Sequence, residues 1–141
     1  MLFGTDIDIR VHKSLQSAVS EEQTNCLYDF IEFCAQELPV QGPIVIKLVP
    51  KIDKGKITTG GFNPEDKTIA SRFEGRAMVD ILRTIAHELV HYSQLERGEF
   101  DSPDYVHQDI GGPIEDEANA VAGVMIKRFA QEKNARYIYG L

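Results

Sequence analysis

Residues 76–96 read RAMVDILRTIAHELVHYSQLE, and their periodicity decides how the rest of the chain is arranged. Met78, Ile81, Leu82, Ile85, Leu89 and Tyr92 recur at the three- and four-residue spacing of one apolar stripe, which predicts a helix from Arg76 to about Glu96. Asp80, Thr84, His87, Glu88, His91 and Gln94 fall on its opposite, polar side. Upstream the pattern becomes that of strands. The stretches 56–62 and 67–71 flank the turn Asn63-Pro64-Glu65-Asp66, so a β-hairpin is expected, with proline preset for the second turn position. Thr58, Thr59, Gly60 and Gly61 make its first arm the weaker strand former.

Further outward, PIVIKLVP (residues 43–50) is β-branched and nearly continuous in apolar residues, as a central strand should be. Ser20 followed by Gln23 is a capping-box pattern, and Leu27, Phe30, Ile31, Cys34 and Leu38 continue it as a helix over 21–38 that Pro39 stops. Residues 6–11 alternate polar and apolar side chains and predict a short strand. Downstream, residues 97–112 carry no strong element signal and read as a functional loop. Pro113 then opens a last helix, whose buried stripe is Ile114, Ala118, Val121, Ala122, Met125 and Phe129. The expected fold is α+β: one domain over residues 1–141, with a small mixed or antiparallel sheet packed on three helices.

Composition narrows the possible functions. The 141 residues include 15 Lys+Arg and 22 Asp+Glu, a formal charge of 15 − 22 = −7, with 43% hydrophobic and 26% charged residues. These proportions suit a folded domain rather than a disordered or disulfide-held one. An acidic chain without a basic stripe argues against nucleic acid or an anionic membrane as partner. No apolar run reaches the roughly 20 residues of a membrane span, and MLFGTDIDIR lacks the pattern of a secretory signal, so the chain is expected whole and cytoplasmic. Cys26 and Cys34 lie eight residues apart on the first helix, about 12 Å along its axis, and read as two buried thiols rather than a disulfide.

Chemistry is concentrated in His87-Glu88-Leu89-Val90-His91, an H-E-x-x-H sequence on a helix. Residues four apart differ by about 40° in direction and 6 Å in height, so both imidazoles can aim a nitrogen at one point off the helix face. Zinc takes such nitrogens at about 2.0–2.1 Å, and a catalytic zinc site uses three protein ligands with a fourth position for water. Glu88 lies about 100° around from His87, placed to reach that water without ligating the metal. Two histidines on a solvated helix face are the alternative.

A third ligand is sought downstream. A histidine six residues after His91 with a glycine between would mark another class of zinc protease, but those positions hold Arg97 and Gln94, which excludes that class. His107 in the long loop and Glu115 at the start of the last helix are the candidates, beside a site of two histidines and water. Helical phase favours Glu115, which lies beside the Ile114, Ala118, Ala122 stripe, whereas Glu117 is about 200° away and is expected, like Asp116, to face water. A carboxylate in a first helical turn is also stabilised in its ionised form. Ala118 and Ala122 are small enough to let the two helices approach. Asn119, one turn after Glu115, is placed to receive the free ring N–H of a ligating histidine.

HELVH on a helix followed by EDEANAVAG resembles the glutamate-zinc peptidases, or gluzincins, in a minimal form, and the second motif is similar to the ImmA/IrrE-type peptidases in particular. DILRTIAHELVHYSQ together with GGPIEDEANA is also similar to small peptidase-like proteins of tailed bacteriophages. The resemblance covers about residues 56–130. It implies a zincin-like fold, one zinc per chain held by His87, His91 and Glu115, Glu88 as the base, and a protein or peptide substrate. It further implies that the strand before the active helix, Lys67, Thr68, Ile69, Ala70 and Ser71, pairs with an extended substrate as a sheet edge. Such enzymes also use a His, Tyr or Arg to stabilise the oxyanion; His107, Tyr105 and Tyr137 are the candidates here. The phage resemblance would place the chain in a host cytoplasm or a virion. The expected function is a zinc-dependent metallopeptidase in which Glu88 deprotonates a zinc-bound water. A zinc-binding regulatory or interaction module with little proteolytic activity, or a hydrolase of non-peptide substrates, is the alternative.

Overall fold

The structure is a computed structural model that describes residues 6–38, 40–51, 59–99 and 112–141. Their main elements, in chain order, are β1 (Ile7–Val11), α1 (Glu21–Glu37), β2 (Ile44–Val49), β3 (Gly60–Asn63), β4 (Thr68–Arg72), α2 (Met78–Glu96) and α3 (Pro113–Glu132). One-turn 3-10 helices follow β1 and α3. The architecture is α+β, with a four-stranded mixed sheet in the order β1-β2-β4-β3. No helix among the described residues is long and apolar enough to cross a membrane.

The elements form for the reasons their sequences give. The Ser20 hydroxyl accepts the Gln23 N–H at 3.0 Å and the Gln23 side chain accepts the Ser20 N–H at 2.9 Å, completing the capping box that starts α1. Pro39, expected to stop this helix, lies outside the described residues. In β2 the alternate residues Ile44, Ile46 and Leu48 are fully buried beneath the helices, while Lys47 on the other face is exposed. This strand is central: it pairs in parallel with β1 and β4.

The hairpin between β3 and β4 turns through residues 64–67. Its Asn63 side chain accepts the Glu65 N–H at 2.9 Å, and the Lys67 N–H returns to the Asn63 carbonyl at 2.7 Å. Residues 56–58 of its expected first arm lie outside the described residues. One expectation is corrected here. Thr68–Arg72 does not form an edge: β4 is hydrogen-bonded to β2 on one side and β3 on the other, and Lys67 belongs to the turn, with φ 59°. The long-range pairing decides the matter, because Ile69 is fully buried opposite Ile46 and Phe62. The glycine-rich β3, with less to pack, takes the edge among the described strands.

The second helix is anchored to this sheet through its C-terminal half. Tyr92 donates to the Pro43 carbonyl at 2.9 Å and stacks on Phe62 at 5.3 Å, and the Glu96 carboxylate accepts the N–H groups of Gln41 and Gly42. Its polar side is not solvated, contrary to the simplest reading of its pattern: Thr84, Glu88, His91 and Gln94 are all buried. The cause is α3, which packs across that side with Ala118 and Ala122 buried. Gly112, at φ 100°, takes a conformation that side chains rarely adopt, and Pro113 fills the first helical position. At its far end α3 buries Phe129 edge-on against Phe30 and Phe33 of α1, at 5.2 and 5.6 Å between ring centroids.

Candidate metal centre

Two helices supply the centre. One turn of α2 separates His87 from His91, whose Nε2 atoms converge to 3.2 Å. The first turn of α3 brings Glu115 between them, with Oε1 3.1 Å from His87 Nε2 and Oε2 2.9 Å from His91 Nε2. His91 is 3% exposed and Glu115 7%, while His87 is half-buried. The three residues each offer one ligand atom, all within 4.8 Å of one another, and so form a group able to hold a metal ion. Glu88 is 8% exposed on the same helix, adjacent to His87 in sequence.

The hydrogen bonds around His91 determine what its Nε2 presents. Gln94 Nε2 donates to two acceptors, the Ile114 carbonyl at 3.0 Å and Glu117 Oε1 at 2.8 Å. Neither oxygen can donate, so the Gln94 amide is oriented with its own oxygen toward His91 Nδ1, 2.8 Å away. Nδ1 therefore carries a proton, and in the neutral ring Nε2 keeps its lone pair. That lone pair faces the Glu115 carboxylate at 2.9 Å, two acceptors with nothing to share. A cation at the centre would relieve this contact.

Several expected site residues are placed differently. Asn119 is exposed on α3, and the ring N–H of His91 goes to Gln94. The signal was in the sequence, since Gln94 lies three residues after His91 on one helical face. Glu117 does not simply face water: it is half-buried and accepts from both Gln94 and Arg97, at 2.8 and 2.9 Å. Those two hydrogen bonds, Gln94 first, hold its carboxyl below the usual range. Asp116 is exposed as expected. Tyr137 is 49% exposed in the last 3-10 turn, where it lines a pocket with Asp29, Glu32 and Phe33 of α1. His107 and Tyr105 lie outside the described residues.

A search against protein-family models finds no match for the chain, and searches against curated proteins and solved structures find none either.

Proposed function

We propose that the chain is a zinc-dependent metallopeptidase of minimal gluzincin type, similar to the ImmA/IrrE peptidases. The observation that carries this reading is the convergence of His87, His91 and Glu115, from two helices, with Glu88 buried in the position next to His87. Tetrahedral zinc bound at about 2.0–2.1 Å separates its ligand atoms by about 3.3 Å. The two imidazole nitrogens stand 3.2 Å apart, close to that spacing, and each histidine has one Glu115 oxygen beside it, Oε1 at 3.1 Å from His87 and Oε2 at 2.9 Å from His91. Two imidazoles and one carboxylate are also a donor set that zinc uses for hydrolysis.

Zinc held there would supply a Lewis acid that polarises the scissile carbonyl and makes water acidic enough to react at neutral pH. The chain's residues supply the rest. Glu88 accepts the proton of the attacking water and delivers it to the leaving amine. Burial of Glu88 and Glu115 excludes bulk water and so strengthens the electrostatics on which that transfer depends. An extended peptide has a docking edge in β3, whose outward main-chain groups are unpaired among the described strands. This strand lies against the centre of α2, with Gly60 beside Thr84 and Phe62 on Tyr92.

The test combines metal analysis with cleavage of denatured casein and peptide libraries, with and without chelator. The wild-type chain should carry one zinc and cleave in a chelator-sensitive way. Glu88→Gln should keep fold and zinc and lose about 10²–10⁴-fold in rate. Full activity in that variant would refute the role of Glu88. One bound zinc without any cleavage would instead favour an interaction module, and bound iron would overturn the assignment of the metal.

A further inference from the structure

The three residues of the candidate centre come from two helices, His87 and His91 from α2 and Glu115 from α3, and one buried side chain touches the surroundings of both. Gln94 is fully buried. Its oxygen accepts from His91 Nδ1 at 2.8 Å, and its nitrogen donates to the carbonyl of Ile114, the residue immediately before Glu115, at 3.0 Å. Its second N–H is held by Glu117 Oε1 at 2.8 Å, and that same oxygen accepts from Arg97 Nη2 at 2.9 Å. A glutamine has two donors on one atom and an acceptor on the other. All of that capacity is used here, and each partner fixes the direction of the others.

We infer that Gln94 is the positioning residue of the metal centre: it selects the His91 tautomer that ligates through Nε2 and at the same time pins the first turn of α3 so that Glu115 faces the histidines. Glu117 and Arg97 hold Gln94 in that orientation. Without the carboxylate, the Gln94 amide loses one reason to keep its nitrogen toward α3; without Arg97, the half-buried Glu117 loses its charged partner. The inference rests on the metal site proposed above, and it makes the chain's affinity for zinc depend on a residue that never touches the ion.

The experiment measures zinc affinity of the full chain by competition with a chromophoric chelator, using the metal alone as probe. Gln94→Leu keeps approximate volume and removes all three hydrogen bonds; it should bind zinc about 10- to 100-fold more weakly than wild type. Glu117→Ala, a half-buried position, should show a smaller loss. The paired exchange Gln94→Glu with Glu117→Gln restores an acceptor toward His91 and a donor–acceptor contact between the two helices, and it should bind more tightly than Gln94→Leu. Long-range ¹H–¹⁵N correlations of the zinc-loaded wild type should show His91 protonated at Nδ1. Wild-type affinity in a folded Gln94→Leu chain overturns the role of Gln94 alone, as does a His91 ring protonated at Nε2 even if Gln94→Leu does not fold. A wild-type chain that binds no zinc overturns the metal site and this inference together.

Discussion

Gly60 and Gly61 are neighbours on β3 with opposite surroundings, and replacing each by alanine measures how closely the hairpin lies on α2. A β-carbon on Gly60 would stand 2.4 Å from Thr84 Cγ2 and 2.7 Å from the Ala70 carbonyl oxygen, whereas one on Gly61 meets nothing within 4 Å. Ordinary contact begins at 3.4 Å, so the Gly60 methyl has to gain about 1 Å from Thr84. Thr84 is buried on a helix, where a β-branched side chain has few rotamers, and Ala70 belongs to the ladder between β2 and β3. Overpacking of this kind costs about 1–3 kcal/mol, of which the lower entropy of the unfolded alanine chain offsets about 0.4–1 kcal/mol. The expected net loss for Gly60→Ala is about 1–2 kcal/mol, or about 3–7 °C in Tm for a chain of this size. Gly61→Ala should be neutral or slightly stabilising. Adding Thr84→Ser to Gly60→Ala removes the nearer obstruction but not the carbonyl, and should recover part of the loss. Urea and thermal unfolding followed by circular dichroism give all four values. A Gly60→Ala chain as stable as Gly61→Ala would refute the close seating of β3 on α2, and with it the placement of the docking edge beside the centre.

Other expectations follow from single contacts. Phe129→Ala removes the ring that α3 buries against Phe30 and Phe33 and should cost about 3–5 kcal/mol in urea unfolding; a loss below 1 kcal/mol would contradict that packing. Burial raises the Cys26 thiol from an ordinary 9.0 to about 11 and pushes Cys34 higher still. At pH 8 that cuts the reactive thiolate of Cys26 about a hundredfold, so iodoacetamide should spare the native chain and label two sites once it is unfolded. Glu115→Ala should lose most bound zinc by metal analysis while His107→Ala keeps it; the reverse would move the third ligand to residues 97–112.

Much of the fold is legible from local chemistry. Ser20 and Gln23 announce the start of α1, the apolar stripe from Met78 to Tyr92 announces α2, and Gly112-Pro113 announces α3. What local chemistry does not carry is the partner of each surface. Asn63-Pro64 predicts a hairpin but not which arm joins β2; that rests on the pairing of Val45 with Thr68 and Ile46 with Ile69, more than twenty residues apart. Periodicity likewise reports that Thr84, Glu88, His91 and Gln94 are polar and share a side, but not that the alanines of α3 cover it. The H-E-x-x-H spacing and the phase of Glu115 were enough to predict that His87, His91 and Glu115 come together, in a group able to hold a metal ion. Helical phase failed for Glu117 because glutamine and arginine reach far around a helix: Gln94 and Arg97 find its carboxylate at 2.8 and 2.9 Å.

Because α2 builds the hydrophobic core with one side and presents His87 and His91 to Glu115 with the other, its register has no slack. Inserting or deleting one residue ahead of His87 would rotate everything after it by about 100°. That would carry the histidines away from Glu115 and swing Tyr92 off Phe62 in the same step. A one-residue length change within this helix is therefore expected to disrupt core and candidate site together, whereas growth in the connections outside it should be tolerated. The helix acts as a ruler shared by fold and chemistry, so neither can be rescaled alone.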